Sequence, residues 1–237
     1  MAVSEPIFAV LERQPRASAP RYDSYLAIHK ALRALLTDTL VKLGALDPED
    51  DASVQQALSQ TRQAIGLSQS HLAKEDAFVH PAMEARAPGS TRRAAADHDE
   101  HEERFAAILA ACNEVETAQG PRRAELALCL YRRFALFFAE DLIHMNAEET
   151  ENNAVLWATY SDAEIHALID KLLASIPPPT MAQYLPWMIA ANTPADRIEI
   201  LNGVRGKMPA PAFKGLLDGV LPVLSPADQA KLVRALG

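Results

Sequence analysis

The spacing His-x-x-x-Glu occurs twice in this chain, at His71/Glu75 and at His144/Glu148, each time within a long stretch poor in glycine. On an α-helix, residues four apart share a face, with Cβ atoms about 5–6 Å apart. Each pair therefore aims an imidazole nitrogen and a carboxylate oxygen at one point. Neither side chain is readily buried unless something binds it. This repeat demands two helices that face each other and a shared ligand between their polar turns.

The rest of the sequence supplies those helices. Ala, Leu, Glu, Arg and Gln dominate, β-branched runs are scarce, and the expected class is all-α. Three breakers punctuate the first two-thirds: Gly44 followed by Asp47-Pro48-Glu49-Asp50, then Ala87-Pro88-Gly89-Ser90, then Gln119-Gly120-Pro121. They delimit helices over 22–44, 51–87, 90–118 and 121–158. Connections this short favour antiparallel neighbours in an up-down-up-down four-helix bundle. Pro81 falls inside the second helix and predicts a bend there rather than a stop.

Beyond the bundle, Ser161-Asp-Ala-Glu164 predicts a capped fifth helix to about Ser175, and Pro177-Pro178-Pro179 a stiff break after it. Thr193-Pro194-Ala195-Asp196 and Ser225-Pro226-Ala227-Asp228 are near-identical helix starts, each with a capping hydroxyl and a proline at the first helical position. The expected organisation is an N-terminal arm over 1–21, the bundle over 22–158 and a C-terminal helical extension over 159–237. That extension, with Tyr184, Trp187 and Phe213, reads as a lid on the bundle or a docking module for a protein partner.

Composition narrows the function classes. The net charge of −8 and a pI near 5.4, with no basic stripe, argue against nucleic acid. No apolar run is long enough to span a bilayer, and a cytoplasmic location follows by default. Cys112 and Cys129 form no CxxC or Cys/His cluster and are expected as small buried side chains. Glycine-rich phosphate loops and nucleophile elbows are not visible.

Two more histidines complete the candidate donor set. Counted from the nearest breaker at 1.5 Å per residue, His29 and the His71/Glu75 pair stand about 19 and 25 residues from one loop, and His98 and the His144/Glu148 pair about 22 and 26 from another. In an up-down bundle all four levels coincide within about two turns. Four imidazoles and two carboxylates suit iron, manganese or zinc, whereas all-oxygen sites suit magnesium or calcium and thiolates suit softer ions. Each glutamate can bridge two cations while each cation takes two imidazoles. Leu126, Leu130 and Phe137, in the turns before His144, would keep the floor of such a site dry.

These residues resemble the hemerythrin-like, or HHE cation-binding, proteins: a histidine on helix one, His-x-x-x-Glu on helix two, a histidine on helix three and His-x-x-x-Glu on helix four. The resemblance covers about residues 22–158. It implies His29, His71, His98 and His144 as terminal ligands and Glu75 and Glu148 as bridges of a non-haem di-iron centre holding two iron ions, with manganese or zinc as alternative occupants. It also implies binding or sensing of a small ligand such as dioxygen, nitric oxide, peroxide or iron itself, or else an oxidoreductase or iron-centre repair activity. Oxygen carriers of that family resemble His-x-x-x-His on helix three and His-x-x-x-x-Asp on helix four. This chain has His98-x-x-His101 and Glu149 instead, closer to the nitric-oxide and iron-repair branch.

Several neighbours compete for roles. His101, about 60° around the helix from His98, is either its replacement as ligand or an outer neighbour. Glu102 reads as part of a solvated helix start, and Glu140 and Glu151 as supplements to Glu148. Tyr25, one turn before His29, is an outer hydroxyl or bundle packing. His80, about 180° from His71 on an ideal helix, is expected on the surface or in a structural role, and His166 on the surface.

Overall fold

The computed structural model describes residues 21–237 of the protein, which are helical and contain no strand. The expected N-terminal arm over 1–21 lies, apart from Arg21, outside the described residues. Four long segments carry the core: α1 (Leu26–Gly44), α2 (Asp51–Lys74), α4 (Arg92–Thr117) and α5 (Gly120–Ala147). The α1 helix contacts α2 and α5, and α4 contacts the same two, so the four close a ring around one apolar interior.

Their sequences explain the closure. Along α5 the buried positions Ala127, Leu130, Phe134, Phe137, Asp141 and His144 alternate steps of three and four, the period that keeps one stripe inward. The α4 stripe runs through His98, His101, Phe105, Ile108, Cys112 and Val115 in the same way. Phe105, Phe134 and Phe137 are fully buried and pack edge to face, each contributing roughly 2–3 kcal/mol of transfer free energy. The breakers act as expected. Asp50 caps α2 by accepting from the Ala52 amide at 2.9 Å, and Gly120 opens α5 at φ +54°, which a side chain would strain.

Two five-residue π-helical turns depart from the regular pattern. Residues Glu75–Val79 join α2 to α3 (His80–Arg86), and Glu148–Asn152 join α5 to α6 (Asn153–Thr159). The second helix therefore continues past Pro81, which sits at the start of α3, just after the first wide turn. A π turn leaves some amides without their usual i−4 carbonyl partner, and proline brings no amide to satisfy.

The remaining helices are α7 (Asp162–Ala174), α8 (Pro178–Ala191), α9 (Pro194–Arg205), α10 (Ala210–Val220) and α11 (Pro226–Leu236). The Ser161/Glu164 and Thr193/Asp196 boxes form, and the Ser225 hydroxyl accepts from the Asp228 amide. Leu185, Ile189, Leu201, Phe213, Val220, Leu232 and Leu236 make a separate small core. Tyr184 belongs instead to the bundle interior, where its hydroxyl donates to the Leu67 carbonyl at 2.5 Å; Asn192 donates to the Ala27 carbonyl at 2.9 Å. Cys112 is buried as expected, but Cys129 is exposed, because it lies on the outer side of α5 beside Leu128. No helix among the described residues is long and apolar enough to cross a membrane.

Candidate metal centre

Each π turn begins at a motif glutamate. His71 and His144 close the regular helices, and Glu75 and Glu148 open the wide turns one residue after those helices end. Apolar layers lie on both sides along the chain. Leu32, Leu72 and Phe137 belong to the main core on one side of the histidines, while Tyr25, Val79, Met83, Leu156 and Ile165 form a second cluster on the other. The polar residues between are thereby largely buried.

Inside this layer the donors converge. Ligand atoms of His29, His71, Glu75 and Glu148 lie within 4.8 Å of one another, and so do those of Glu75, His98, His144 and Glu148. The two groups share both glutamates. His29 Nε2 and His71 Nε2 approach to 3.0 Å, His144 Nε2 stands 3.3 Å from Glu148, and His98 Nε2 is 3.6 and 3.7 Å from Glu75 and Glu148. The His29–His71 pair is within hydrogen-bond distance, whereas the longer separations around Glu75 and Glu148 suit atoms gathered around a cation better than atoms bonded to each other. Both oxygens of Glu75, both of Glu148, His98 Nε2 and His144 Nε2 are buried without a hydrogen-bond partner. Leaving that many polar atoms unsatisfied costs several kcal/mol in total, and bound cations would satisfy all of them. The donor set of nitrogen and carboxylate oxygen fits iron, manganese or zinc.

Electrostatics in the metal-free centre agree. Burial and then the neighbouring Glu148 hold Glu75 well above the usual carboxylate range, so it keeps a proton. Burial opposes ionisation of Glu148 too, but the surrounding imidazoles outweigh it and bring its pKa to about 2. Burial drives His144 down to about 4 and His71 well below its ordinary value. His98 differs: against its burial, Glu148 and Asp76 raise its pKa. Loading a cation must expel the proton on Glu75 and any proton that His98 holds on the nitrogen facing the centre.

A family model for the hemerythrin HHE cation-binding domain matches residues 21–157. The chain belongs to this family. A zinc finger protein, BRUTUS-like, of Arabidopsis thaliana is similar at 23% identity over 133 residues, 55% of this chain. The matched region spans 10% of that relative's length. No solved structure matches the chain.

Around the donors, the HHE domain here repeats a second device. The residue after each motif glutamate reaches a histidine on another helix: Glu149 accepts from His29 Nδ1 at 3.0 Å, and Asp76 accepts from His98 Nδ1 at 2.8 Å. A carboxylate can only accept, so each fixes the proton on Nδ1 and leaves Nε2 bare toward the centre. Glu149, which occupies the sequence position of the carriers' aspartate, thus turns away from the centre, and Arg33 pairs with it at 2.6 Å. Tyr25 is buried above the donors, accepts from Asn152 at 3.3 Å, and stays a neutral phenol because burial and the two glutamates raise its pKa.

Three expectations need correction. Of the two roles expected for His80, the surface one fails and the structural one fits: it is buried, stacks on the His98 ring at 4.8 Å and places Nδ1 3.0 Å from Asp76. The wide turn at Glu75–Val79 adds a residue to the helical repeat, which rotates everything after it by about 100° relative to an ideal helix. Glu140 and Glu151 do not supplement Glu148: both are exposed and paired with Arg104 and Arg93. Between His98 and His101, His98 faces the shared glutamates; His101 donates from Nδ1 to the Asp97 carbonyl at 2.7 Å and turns Nε2 toward Asp141 at 3.5 Å. Glu102 is exposed and accepts from Gln69, and His166 is exposed and stacked on Tyr22.

Asp141 is the functional neighbour that the sequence reading missed. It lies on the inward stripe three residues before His144, and that spacing was the available signal. Burial, then the charge of Glu148, raises its pKa to about 7. A folded-state pKa above the unfolded value contributes stability that is complete below about 3.9 and is lost as pH rises through about 7. For metal-free protein, Asp141→Asn should remove that loss, on the order of 2–4 kcal/mol. Urea unfolding at pH 5 and pH 8 checks this; an unchanged pH dependence would show that Asp141 titrates normally.

Proposed function

We propose that this chain is a non-haem di-iron protein that binds or senses a small ligand, dioxygen, nitric oxide or peroxide, or iron itself, within an up-down-up-down bundle over 22–158. The observation that carries the reading is the set of buried, unpartnered nitrogens and oxygens on His98, His144, Glu75 and Glu148. In this reading His29 and His71 serve one iron, His98 and His144 the other, and Glu75 and Glu148 bridge them. Two imidazoles and shared carboxylates leave coordination positions free for the ligand. The helices over 159–237 form an extension that acts as a lid on the bundle, with docking of a protein partner as the second reading, and the protein works in the cytoplasm. His101, turned toward Asp141, is an outer residue.

Metal analysis and Mössbauer spectra of anaerobically purified protein test the proposal. Close to two irons per chain is the expected result, and one or none would count decisively against it. Optical changes on adding nitric oxide or oxygen in a single equivalent would support binding. Sustained turnover with an electron donor would instead assign the centre to an oxidoreductase or a repair protein.

A further inference from the structure

The two halves of the centre share one plan but differ in what stands behind them. Behind His29, Glu149 is the accepting carboxylate, and Arg33 neutralises it at 2.6 Å. The ring is held by a balanced pair. Behind His98 stands Asp76, whose other neighbour is the His80 ring. Behind His144 stands a second carboxylate, Asp97, with Oδ2 3.7 Å from Nδ1. Arg93 lies 3.8 Å from Asp97, but it is more than half exposed and pairs more closely with Glu151 at 2.6 Å. The His98–His144 half therefore faces two carboxylates that no close cation matches, and the His29–His71 half faces none.

A second observation points the same way. A narrow, partly enclosed cleft of about 20 Å³ runs between the start of α4 and the second π turn, lined by Arg93, Asp97, His144, Glu148 and Glu151 among others. Its floor is formed by a donor histidine and a shared glutamate, and its rim carries two acids. His144 is almost fully buried, and its Nδ1 in this cleft has no hydrogen-bond partner. This cleft gives an arriving cation a route to the His98–His144 half.

We infer that the two cation positions are unequal and that the His98–His144 position fills first and holds its ion more tightly. This rests on the two-cation reading above. Charges of opposite sign within a few ångströms of a divalent ion, partly screened by water, shift its affinity by about tenfold each. The first ion should accordingly bind at least about tenfold more tightly than the second.

Anaerobic titration of the full chain with Co²⁺, followed by its visible absorption, separates the two steps. Asp97→Asn should weaken the first step about tenfold and leave the second unchanged. Arg33→Met, which unmasks Glu149, should tighten the second step and leave the first unchanged. Neither residue is a donor, and circular dichroism confirms that each variant folds. Two ions bound with equal affinity, or Asp97→Asn acting on the second step, on both equally or on neither, would overturn the inference while leaving the two-cation reading intact. Fewer than two ions bound by the unaltered chain would overturn both.

Discussion

Glu148→Ala is expected to release essentially all bound metal, with affinity falling by at least two orders of magnitude. Its carboxylate belongs to both donor groups and stands within 4 Å of His29, His98 and His144. In the proposed two-cation centre, removing it would delete a ligand from each cation and the negative charge between them, leaving two like charges separated only by Glu75. Outer residues that merely orient a ligand cost about 10–100-fold when lost, and a shared ligand must cost more. Glu75→Ala should behave alike, since Glu75 occupies the equivalent place at the head of the other wide turn. Inductively coupled plasma analysis after exhaustive dialysis measures this. Retention of two equivalents in both variants would remove the glutamates from the coordination sphere.

Metal loading should raise the unfolding temperature by about 10 °C. A ligand present at about a thousand times its dissociation constant, binding only the folded chain, adds about 4 kcal/mol, and 1 kcal/mol moves the midpoint by about 2–4 °C at this length. The unsatisfied atoms of the metal-free centre are the physical source of the difference. Calorimetry with and without a strong chelator reads it directly. Equal midpoints would mean that the buried donors are satisfied without a cation.

Much of this arrangement could be read before any coordinates. The convergence of the six candidate residues follows from their spacing and their level along each helix, both set by the constant 1.5 Å rise. The helix limits follow from Gly44, Gly120, the prolines and the capping hydroxyls, whose effects are local. What escaped was non-local or irregular. The wide turn at Glu148–Asn152 has no proline or glycine to announce it, and Pro81 was read as a bend although the wide turn precedes it. An ideal periodicity carried through Glu75–Val79 therefore misplaced His80. Asp141 belongs to no His-x-x-x-Glu pair, although its place on the inward stripe is fixed by Phe134, Phe137 and His144. The pairing of Glu149 with His29, which depends on tertiary proximity across 120 residues, had no local signature.

Tyr184 and Asn192 attach the C-terminal helices to the carbonyls of Leu67 and Ala27. Those two peptide groups lie within about one turn of His71 and His29 along their helices. A third tie, Lys30 to Asp196 at 3.2 Å, acts one residue beyond His29. These three ties reach the turns that carry one pair of imidazoles, and none of the three reaches the turns that carry the other pair. The spacing of His29 and His71 is thereby stiffened from outside the layer in which they point, by residues more than a hundred positions further along the chain.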